Sequence, residues 1–200
     1  MEPMIEGTIF LVTAVGIMLA GLAAYFVYIG KKQKKYLELI HKEADKRGGE
    51  VKGGSVITEP KLKFYLGSDT VKLHTVNGRY SVTTYITLIF DREINLKMNI
   101  HKTMPISKLG KALGLKDIEL GDQDFDEKIV VKGNDEGKIR QILSFDIRQK
   151  LLSSILKFNL SFNLSNSKIS VIFYDYLRSE EDFDEVMSLI EILKNKIKKR

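Results

Sequence analysis

The sequence predicts an α+β protein in which an N-terminal transmembrane helix precedes one domain of antiparallel strands with packed helices. Three observations predict this class: an uninterrupted apolar run at residues 8–29, later segments in which apolar and polar residues alternate, and amphipathic helical patterns around them. Strand and helix patterns do not alternate regularly along the chain, so a doubly wound parallel sheet is not expected.

The apolar run at residues 8–29 (TIFLVTAVGIMLAGLAAYFVYI) contains no charged residue. As a helix it would reach about 30 Å, the thickness of the hydrocarbon core of a bilayer. A cleaved signal peptide is the alternative, but it would have basic residues before the run and a small-residue cleavage site after it. Instead, Glu2 and Glu6 precede the run and lysines follow it. We therefore expect a transmembrane span that contacts membrane lipid.

The two flanks of this run differ in charge, which predicts its orientation. Residues 1–7 contain no Lys or Arg, whereas the basic residues after the run are Lys31, Lys32, Lys34 and Lys35. Because basic residues are retained in the cytosol, we expect a single-pass protein of the cell membrane with its N-terminus outside and its domain in the cytosol. Tyr25 and Tyr28 are expected at headgroup depth, where the ring is in an apolar layer and the hydroxyl meets water.

Small residues form a stripe on the predicted span. Gly16, Ala20 and Ala24 are spaced by four and share one helical face, where two backbones can approach closely. The stripe predicts a homodimer through the transmembrane helix. The alternative is that Gly and Ala occur there without pairing, as they often do in membrane helices.

The charge distribution bears on possible partners. The formal net charge is +6, yet residues 36–193 together carry only −1, because the excess lies beside the apolar run and between Lys194 and Arg200. This distribution favours contact with anionic lipid and predicts no nucleic-acid partner; for the tail, a solvated helix end is the alternative. With no cysteine, disulfides, zinc–thiolate sites and cysteine nucleophiles are excluded.

We divide the chain into four segments. Residues 1–7 are a short extracytoplasmic N-terminus, residues 8–29 the transmembrane helix, residues 30–60 a basic juxtamembrane helix and linker, and residues 61–200 the cytosolic domain. The juxtamembrane helix continues the span through residues 36–47 and ends at Gly48 and Gly49. Residues 50–60 are predicted to be a loop, since they contain glycines and a proline and no sustained periodicity.

The first half of the domain is predicted to be an antiparallel meander. Strands are expected at residues 61–66, 70–76 and 79–90, with a further alternating segment at 94–100, and Asn77-Gly78 predicts a type I′ hairpin turn. A short helix is expected at residues 105–113 and a strand at 128–132.

The second half is predicted to be mainly helical, with one hairpin. Asn134 or Asp135 can cap a helix that runs towards Leu143, and a second helix is expected at residues 147–156. A hairpin follows, with strands at residues 158–165 and 168–175. Ser179 with Asp182 resembles a capping box before an amphipathic helix at residues 183–197.

No candidate motif for catalysis, a cofactor or a metal outweighs its structural explanation. Asp122, Asp124 and Asp126 alternate like calcium ligands, but the loop has Glu127 and Gly133 where an EF-hand has Gly and Glu, so a turn is expected. The histidines, His41, His74 and His101, have no metal-ligand spacing, and we expect the last two to face water. There is no nucleophile elbow and no phosphate-binding loop.

Two further patterns could suggest a function but also have ordinary structural explanations. Basic and aromatic residues mix at Lys61, Lys63, Phe64 and Tyr65, which suggests either a base-stacking platform or a half-buried edge strand. Asn159 and Asn163 lie in glycosylation patterns, but a strand in the cytosol should not be modified.

One stretch of the chain resembles part of a protein family. Residues 121–131 (GDQDFDEKIVV), followed by Asp135 and by residues 140–143 (RQIL), look like a prokaryotic membrane-associated family of unknown function. Its members carry a Phe-acidic-x-x-aromatic-x-Val strand, a turn with Asp, a helix ending in Ile-Leu and a hairpin; Ile129 stands where an aromatic is usual. The resemblance spans residues 120–183 and implies neither an activity nor a ligand. The motif residues are Gly121, Asp122, Phe125 and Asp126.

The motif has a structural interpretation. Phe125, Ile129 and Val131 are expected in the core, while Asp122 and Asp126 accept hydrogen bonds from backbone amides in a turn. Two functions are then compatible with the sequence: a cytosolic domain that binds or scaffolds a protein partner at the membrane, or a membrane-tethered enzyme or small-ligand sensor. A cleft with converging polar groups would favour the second, and an exposed apolar patch the first.

Overall fold

The computed structural model describes residues 2–54, 58–78, 81–103, 116–165 and 167–199. The chain divides into two units, Met1–Glu38 and Leu39–Arg200. Its architecture is α+β, with an N-terminal apolar helix followed by an antiparallel sheet and packed helices, which confirms the predicted fold class.

The N-terminal helix α1 comprises Glu2–Arg47. Its segment Val15–Arg47 is long and apolar enough to cross a membrane, with a mean hydropathy of 1.3 in a window of which 0% is buried. The helix ends at Arg47, and Gly48 follows with φ +60°, which matches the predicted end because glycine adopts that conformation without steric cost.

The last turns of α1, from Leu39 onward, belong to the second unit and pack on its sheet and C-terminal helix. Glu43 is fully buried and accepts a hydrogen bond from Arg47 Nε at 2.9 Å. The Arg47 guanidinium lies over the rings of Phe64 and Phe183, 5.5 Å and 5.1 Å from their centroids, and also pairs with Asp184. These contacts join the start of the domain to its end.

Nine strands form one antiparallel sheet in the part of the chain that is described. In chain order they are β1 Glu50–Lys52, β2 Lys61–Leu66, β3 Asp69–Asn77, β4 Val82–Ile89, β5 Met98–Lys102, β6 Lys116–Asp117, β7 Ile129–Gly133, β8 Leu160–Ser165 and β9 Lys168–Phe173. Their spatial order is β1-β2-β3-β4-β9-β8-β5-β7-β6.

The remaining helices are α2 Gln123–Lys128, α3 Glu136–Ile142, α4 Phe145–Phe158 and α5 Glu180–Lys198. Asp135 caps α3 by accepting from Lys138 N, and Ser179 caps α5 by accepting from Asp182 N. The Ser179 cap was predicted, and Asp135 was one of the two predicted alternatives with Asn134, because an N-cap is a local interaction between residues three apart.

The core lies between one face of the sheet and the helices. Alternate residues of the strands are buried, for example Leu62 and Phe64 in β2 and Ile86 and Leu88 in β4, as the period of two predicts. The helices contribute buried apolar stripes, namely Ile147, Leu151 and Ile155 from α4 and Val186, Ile190 and Leu193 from α5.

The predicted meander is only partly correct. The first four strands follow each other in space, but β4 then pairs with β9, in a register that sets Ile86 opposite Val171. The hairpin of β8 and β9 is thereby inserted between β4 and β5. Alternation along a strand reports which face is buried and contains no information about the neighbouring strand.

Two local predictions are corrected. Residues 50–60 are not all loop, since Glu50–Lys52 form β1 and pair with β2. Asn77 is the last residue of β3 and pairs with Val82, and Gly78 does not have a positive φ. A type I′ turn, which needs positive φ at both central residues, therefore does not form at Asn77-Gly78. The predicted helix at residues 105–113 lies outside the described residues.

The start of β8 is also later than predicted. Phe158 is the last residue of α4, and Asn159 follows in the left-handed conformation with φ 49°. Asparagine tolerates this conformation better than other side chains do. The apparent alternation from Phe158 onward thus includes one helical residue whose ring packs edge-on against Phe173 at 6.3 Å.

Candidate functional site: a lysine groove on the open face of the sheet

The outer face of β2 and β3 is the candidate site. On β2 the exposed residues are Lys61, Lys63 and Tyr65, since Leu62 and Phe64 between them point into the core. On β3, Lys72 is exposed and His74 is half-buried on the same face. Two strands with one buried face therefore present a row of basic side chains on the other.

The strand register brings like charges together. Lys63 is directly opposite Lys72, and Lys61 is directly opposite His74. Directly opposed side chains of an antiparallel pair have Cβ atoms about 5 Å apart, and like charges at that distance destabilise the pair. Among the described residues, no carboxylate is within ion-pair distance of Lys61, Lys63 or Lys72. Lys63 is also directly opposite Glu50 of β1, and its pKa is raised, first by its hydrogen bond with Tyr65 and also by the charge of Glu50. The charge of Lys63 is therefore partly offset, whereas no described carboxylate is opposite Lys61 or Lys72.

The imidazole of His74 is held in place by Tyr85 of β4. The two rings stack, with centroids 4.9 Å apart and planes 7° from parallel. Partial burial, and then the nearby charge of Lys61, lower the pKa of His74 below its usual value of about 6.5. The ring is therefore neutral near neutral pH and can donate or accept a hydrogen bond.

Together these residues line a groove of about 380 Å³, which we call the lysine groove. Its lining residues are Glu50, Lys52, Lys61, Leu62, Lys63, Lys72, Leu73 and His74. Glu50 is the one carboxylate among them, and it pairs with Lys52 at 3.4 Å. Lys63 Nζ also lies over the ring of Tyr65, 5.1 Å from its centroid. The groove can therefore accept an anion that the protein itself does not supply.

A second cavity, of about 300 Å³, lies between the β4–β5 connection, α3 and the end of α5. Its apolar residues include Leu96, Ile142 and Ile197. The nearby cations are engaged elsewhere, because Arg92 donates to the carbonyl of Lys198 and Lys138 pairs with Asp135 at 3.1 Å. Glu93 and Asn95 also line this cavity.

The aspartates of the motif around Asp122 accept hydrogen bonds from within the chain. Asp126 accepts hydrogen bonds from the backbone amides of Leu120, Gly121 and Asp122 at 2.8–3.1 Å. Asp122 accepts from Phe125 N at 3.3 Å and from Arg148 Nε at 3.1 Å. Residues 123–128 form the helix α2 where we predicted a turn leading into a strand, because Asp122 supplies an N-cap.

The rest of the motif has the predicted packing. Phe125 is fully buried, and Ile129 and Val131 are each 2% exposed. Asp124 pairs with Lys128 and does not share a partner with Asp122 or Asp126. Within the residues that the structure describes, no group of three or more acidic, histidine or cysteine side chains is arranged to hold a metal ion.

Two tail lysines are directed into the domain. Lys198 Nζ is 2.7 Å from Asp69 Oδ1 and 2.8 Å from Asp91 Oδ1. Lys194 Nζ is 2.9 Å from Asp69 Oδ2 and donates to the carbonyl of Leu66. The expectation that this segment is a solvated or lipid-facing charge run is therefore wrong for these two residues. Lys196 and Lys199 are exposed.

The predicted membrane-flanking and helix-contact residues all lie in the first unit. Lys31, Lys34 and Lys35 are exposed and Lys32 is half-buried, while Tyr25 and Tyr28 are 58% and 64% exposed. The stripe residues Gly16, Ala20 and Ala24 are exposed, and a side chain added at Gly16 would contact nothing within 4 Å. A partner helix is therefore not obstructed at the glycine.

The sequence patterns pointed to parts of the lysine groove but not to the groove. Lys61, Lys63, Phe64 and Tyr65 were noted as a mixed basic and aromatic segment and His74 was expected to face water, but the two strands were not joined, and neither Lys52 nor Lys72 was included. The joining signal was the short connection at residues 67–68, which forces β2 and β3 into an antiparallel hairpin with Leu66 opposite Asp69.

Comparison with known proteins gives a likeness of fold. Neither a family model nor a curated protein matches the sequence. Among solved structures, the chain is similar to the crystal structure of the mycobacterial trehalose monomycolate transport factor A, TtfA, with a TM-score of 0.59 and 8% sequence identity. The likeness covers 80% of this chain and 93% of that chain. The chain thus has a TtfA-like α+β fold with an N-terminal helix that could span a membrane, and the resemblance at residues 120–183 stays a hypothesis.

Proposed function

We propose that this chain is a single-pass membrane protein that presents its α+β domain in the cytosol, where the domain binds or scaffolds a partner. The observation that carries the proposal is the apolar, unburied helix segment from Val15 onward, followed at once by four lysines. A helix of this composition is stable in hydrocarbon because it satisfies its own backbone hydrogen bonds. The lysines at its C-terminal flank support the orientation.

Single-cysteine labelling tests the orientation, since the chain has no cysteine of its own. A Glu6→Cys variant and a variant at the exposed Lys196, Lys196→Cys, would be treated with a membrane-impermeant maleimide in intact cells. We expect labelling at position 6 in intact cells and at position 196 only after permeabilisation. Equal labelling of both would show that the chain is not a transmembrane protein, and the reverse pattern would overturn the orientation.

The scaffold proposal has a separate test. Crosslinking in native membranes followed by mass spectrometry should recover the same protein partner with the full chain and not with a variant that lacks the domain. If efficient crosslinking recovers no such partner, the scaffold proposal is wrong. We also propose that lipid is a partner at the lysine flank, that the stripe of Gly16, Ala20 and Ala24 mediates a homodimer, and that nucleic acid is not a partner.

The second candidate function is a membrane-tethered enzyme or small-ligand sensor, and the lysine groove favours it. The groove has the volume of a small-molecule site, and several polar groups converge on it. Its lining includes His74, whose ring stacks on Tyr85, and no described nucleophile–base pair, so ligand binding is better supported than catalysis.

A further inference from the structure

We propose that the lysine groove binds a phosphate-bearing small molecule or headgroup, with Lys61, Lys63 and Lys72 as its main contacts. The inference rests on the second proposed function, ligand binding by the domain, and names the chemical class of the ligand. It requires no assumption about the orientation of the chain in the membrane.

The first step of the argument is the charge imbalance of the groove. Lys52, Lys61, Lys63 and Lys72 line it together with a single carboxylate, that of Glu50. Glu50 pairs with Lys52 and is directly opposite Lys63, so it offsets part of their charge, while Lys61 and Lys72 have no carboxylate at ion-pair distance in the described chain. An anion in the groove would convert repulsion between Lys63 and Lys72 into attraction to a shared partner.

The second step is the geometry of the donors. The lysines come from two adjacent strands, and Lys63 and Lys72 face each other across a ladder whose register is fixed at every residue from Lys61 to Leu66. Their ammonium groups can therefore reach one small anion from two sides. The stacked His74 forms a rigid wall beside them, with its ring orientation set by Tyr85.

The third step distinguishes phosphate from carboxylate. A phosphate monoester carries a charge near −2 at neutral pH and has three terminal acceptor oxygens, so it can bind several ammonium groups at once. A single carboxylate offers half the charge and is typically bound by a bidentate arginine. No arginine lines the groove in the described structure, and lysine is a common point-charge ligand for phosphate.

The size of the groove limits the ligand. At about 380 Å³ it matches a small molecule or one headgroup, near the lower end of the usual range for ligand sites. Residues 36–193, with these strands included, carry a net charge of only −1, which does not favour a polymer of phosphates as the ligand.

The test is calorimetric titration of the full chain in nanodiscs of neutral phosphatidylcholine at low ionic strength. One arm uses free glycerol 3-phosphate, and the other uses vesicles of phosphatidylcholine that contain phosphatidic acid, so that the same phosphate is offered with and without a lipid. We expect saturable binding in at least one arm. Binding in the first arm alone identifies a soluble ligand, and binding in the second alone identifies a lipid headgroup.

The variant is Lys63→Gln with Lys72→Gln, and the control is Lys168→Gln, an exposed lysine on β9 opposite Ile89. The double variant removes a repulsive pair, so it should fold, which circular dichroism would check. We expect its dissociation constant to rise by about tenfold or more, because charge-assisted hydrogen bonds are lost, while the control changes little.

Three results would overturn the proposal. The first is the absence of saturable binding in both arms. The second is equal binding by the double variant and the control. The third is tighter binding of a single-stranded oligonucleotide than of either phosphate probe, which would indicate a nucleic-acid surface instead. None of these results bears on the labelling experiment, so the membrane topology and the ligand proposal can fail independently.

Discussion

At the scale of single residues, Asp126 shows how one carboxylate can organise a connection. It accepts from three consecutive backbone amides, those of Leu120, Gly121 and Asp122. These backbone amides precede α2 and have no backbone acceptor within the helix. The Asp126 carboxylate therefore caps the N-terminus of α2 from a position inside the helix. Gly121 allows the chain to turn there, with φ +76°.

We predict that Asp126→Ala destabilises the domain by about 2 kcal/mol, because backbone donors lose their acceptor. Asp126→Asn keeps one acceptor oxygen and should cost less than the alanine variant. Urea denaturation of the full chain in neutral nanodiscs, followed by circular dichroism, would measure both. Loss of binding to an identified partner with no change in unfolding midpoint would contradict this structural role.

At the scale of elements, α1 has two regions with different surroundings. Its stripe of Gly16, Ala20 and Ala24 lies on an exposed face, whereas Glu43 and Arg47 near its end are engaged with the domain. Small residues favour helix contact in a bilayer because they permit close backbone approach, and not because they are hydrophobic.

We predict that replacing Gly16 and Ala20 with Ile reduces self-association of the full chain in a bilayer, since branched side chains keep the helices apart. Förster transfer between labelled chains in liposomes would measure the association. The control is Leu22→Ile on the opposite face of the helix, which places the same branched side chain off the stripe and should leave transfer unchanged. If energy transfer is the same for the unmodified chain, the stripe variant and the control, the dimer proposal is wrong.

At the scale of the whole molecule, one ionic cluster joins the start of strand β3 to the last helix, α5. Asp69, at the first position of β3, is fully buried and contacts Lys194 and Lys198 of α5. Burial opposes ionisation of Asp69, but hydrogen bonds from Lys198 and Lys194 outweigh it and hold its pKa below the usual value. The pKa of Asp91 is lowered to about 2, chiefly by its hydrogen bond from Lys198 and then by that from Ser68.

We predict that Asp69→Asn destabilises the domain by about 3 kcal/mol, since it leaves two partly buried ammonium groups without their shared carboxylate. Asp91→Asn, at a more exposed position, should cost less. Urea unfolding of both variants beside the unmodified chain would measure the difference. If Asp91→Asn lowers the free energy of unfolding more than Asp69→Asn does, then burial does not set how much each carboxylate of this cluster contributes to stability.

The sign of the pH dependence follows from the lowered pKa values. Both carboxyl groups bind protons more readily in the unfolded chain, whose Asp pKa is about 4, so their stabilisation is complete above that pH. It is lost as the pH falls towards the folded values, about 2 for Asp91. We expect the acid-induced decline of the unfolding midpoint to be shallower in Asp69→Asn than in the unmodified chain.

Helix ends were predicted well because they depend on neighbours in the chain. Ser179, Asp135 and Gly48 each mark a helix end through an interaction or a backbone angle within a few residues. The same dependence on neighbours explains why Phe158 was wrongly predicted to begin a strand: the strand-like alternation overlaps the last turn of α4. Two periodicities can share a residue, and only packing against Phe173 selects between them.

Strand order was not predictable in the same way. The pattern in β4 and β5 correctly showed which side chains are buried, but the insertion of β9 and β8 between them depends on residues more than 60 positions later in the chain. Likewise, Lys52, Lys63 and Lys72 form one groove only because β1, β2 and β3 pair in a particular register.

Composition, periodicity and local caps were enough to predict the α+β class, the apolar helix with its uneven lysine flank, and most element positions. The strand order, the contacts of Lys194 and Lys198 with Asp69, and the lysine groove became visible only in the folded domain. A side chain's charge and hydropathy are set by its residue type, whereas its electrostatic partner depends on the distances that the fold creates.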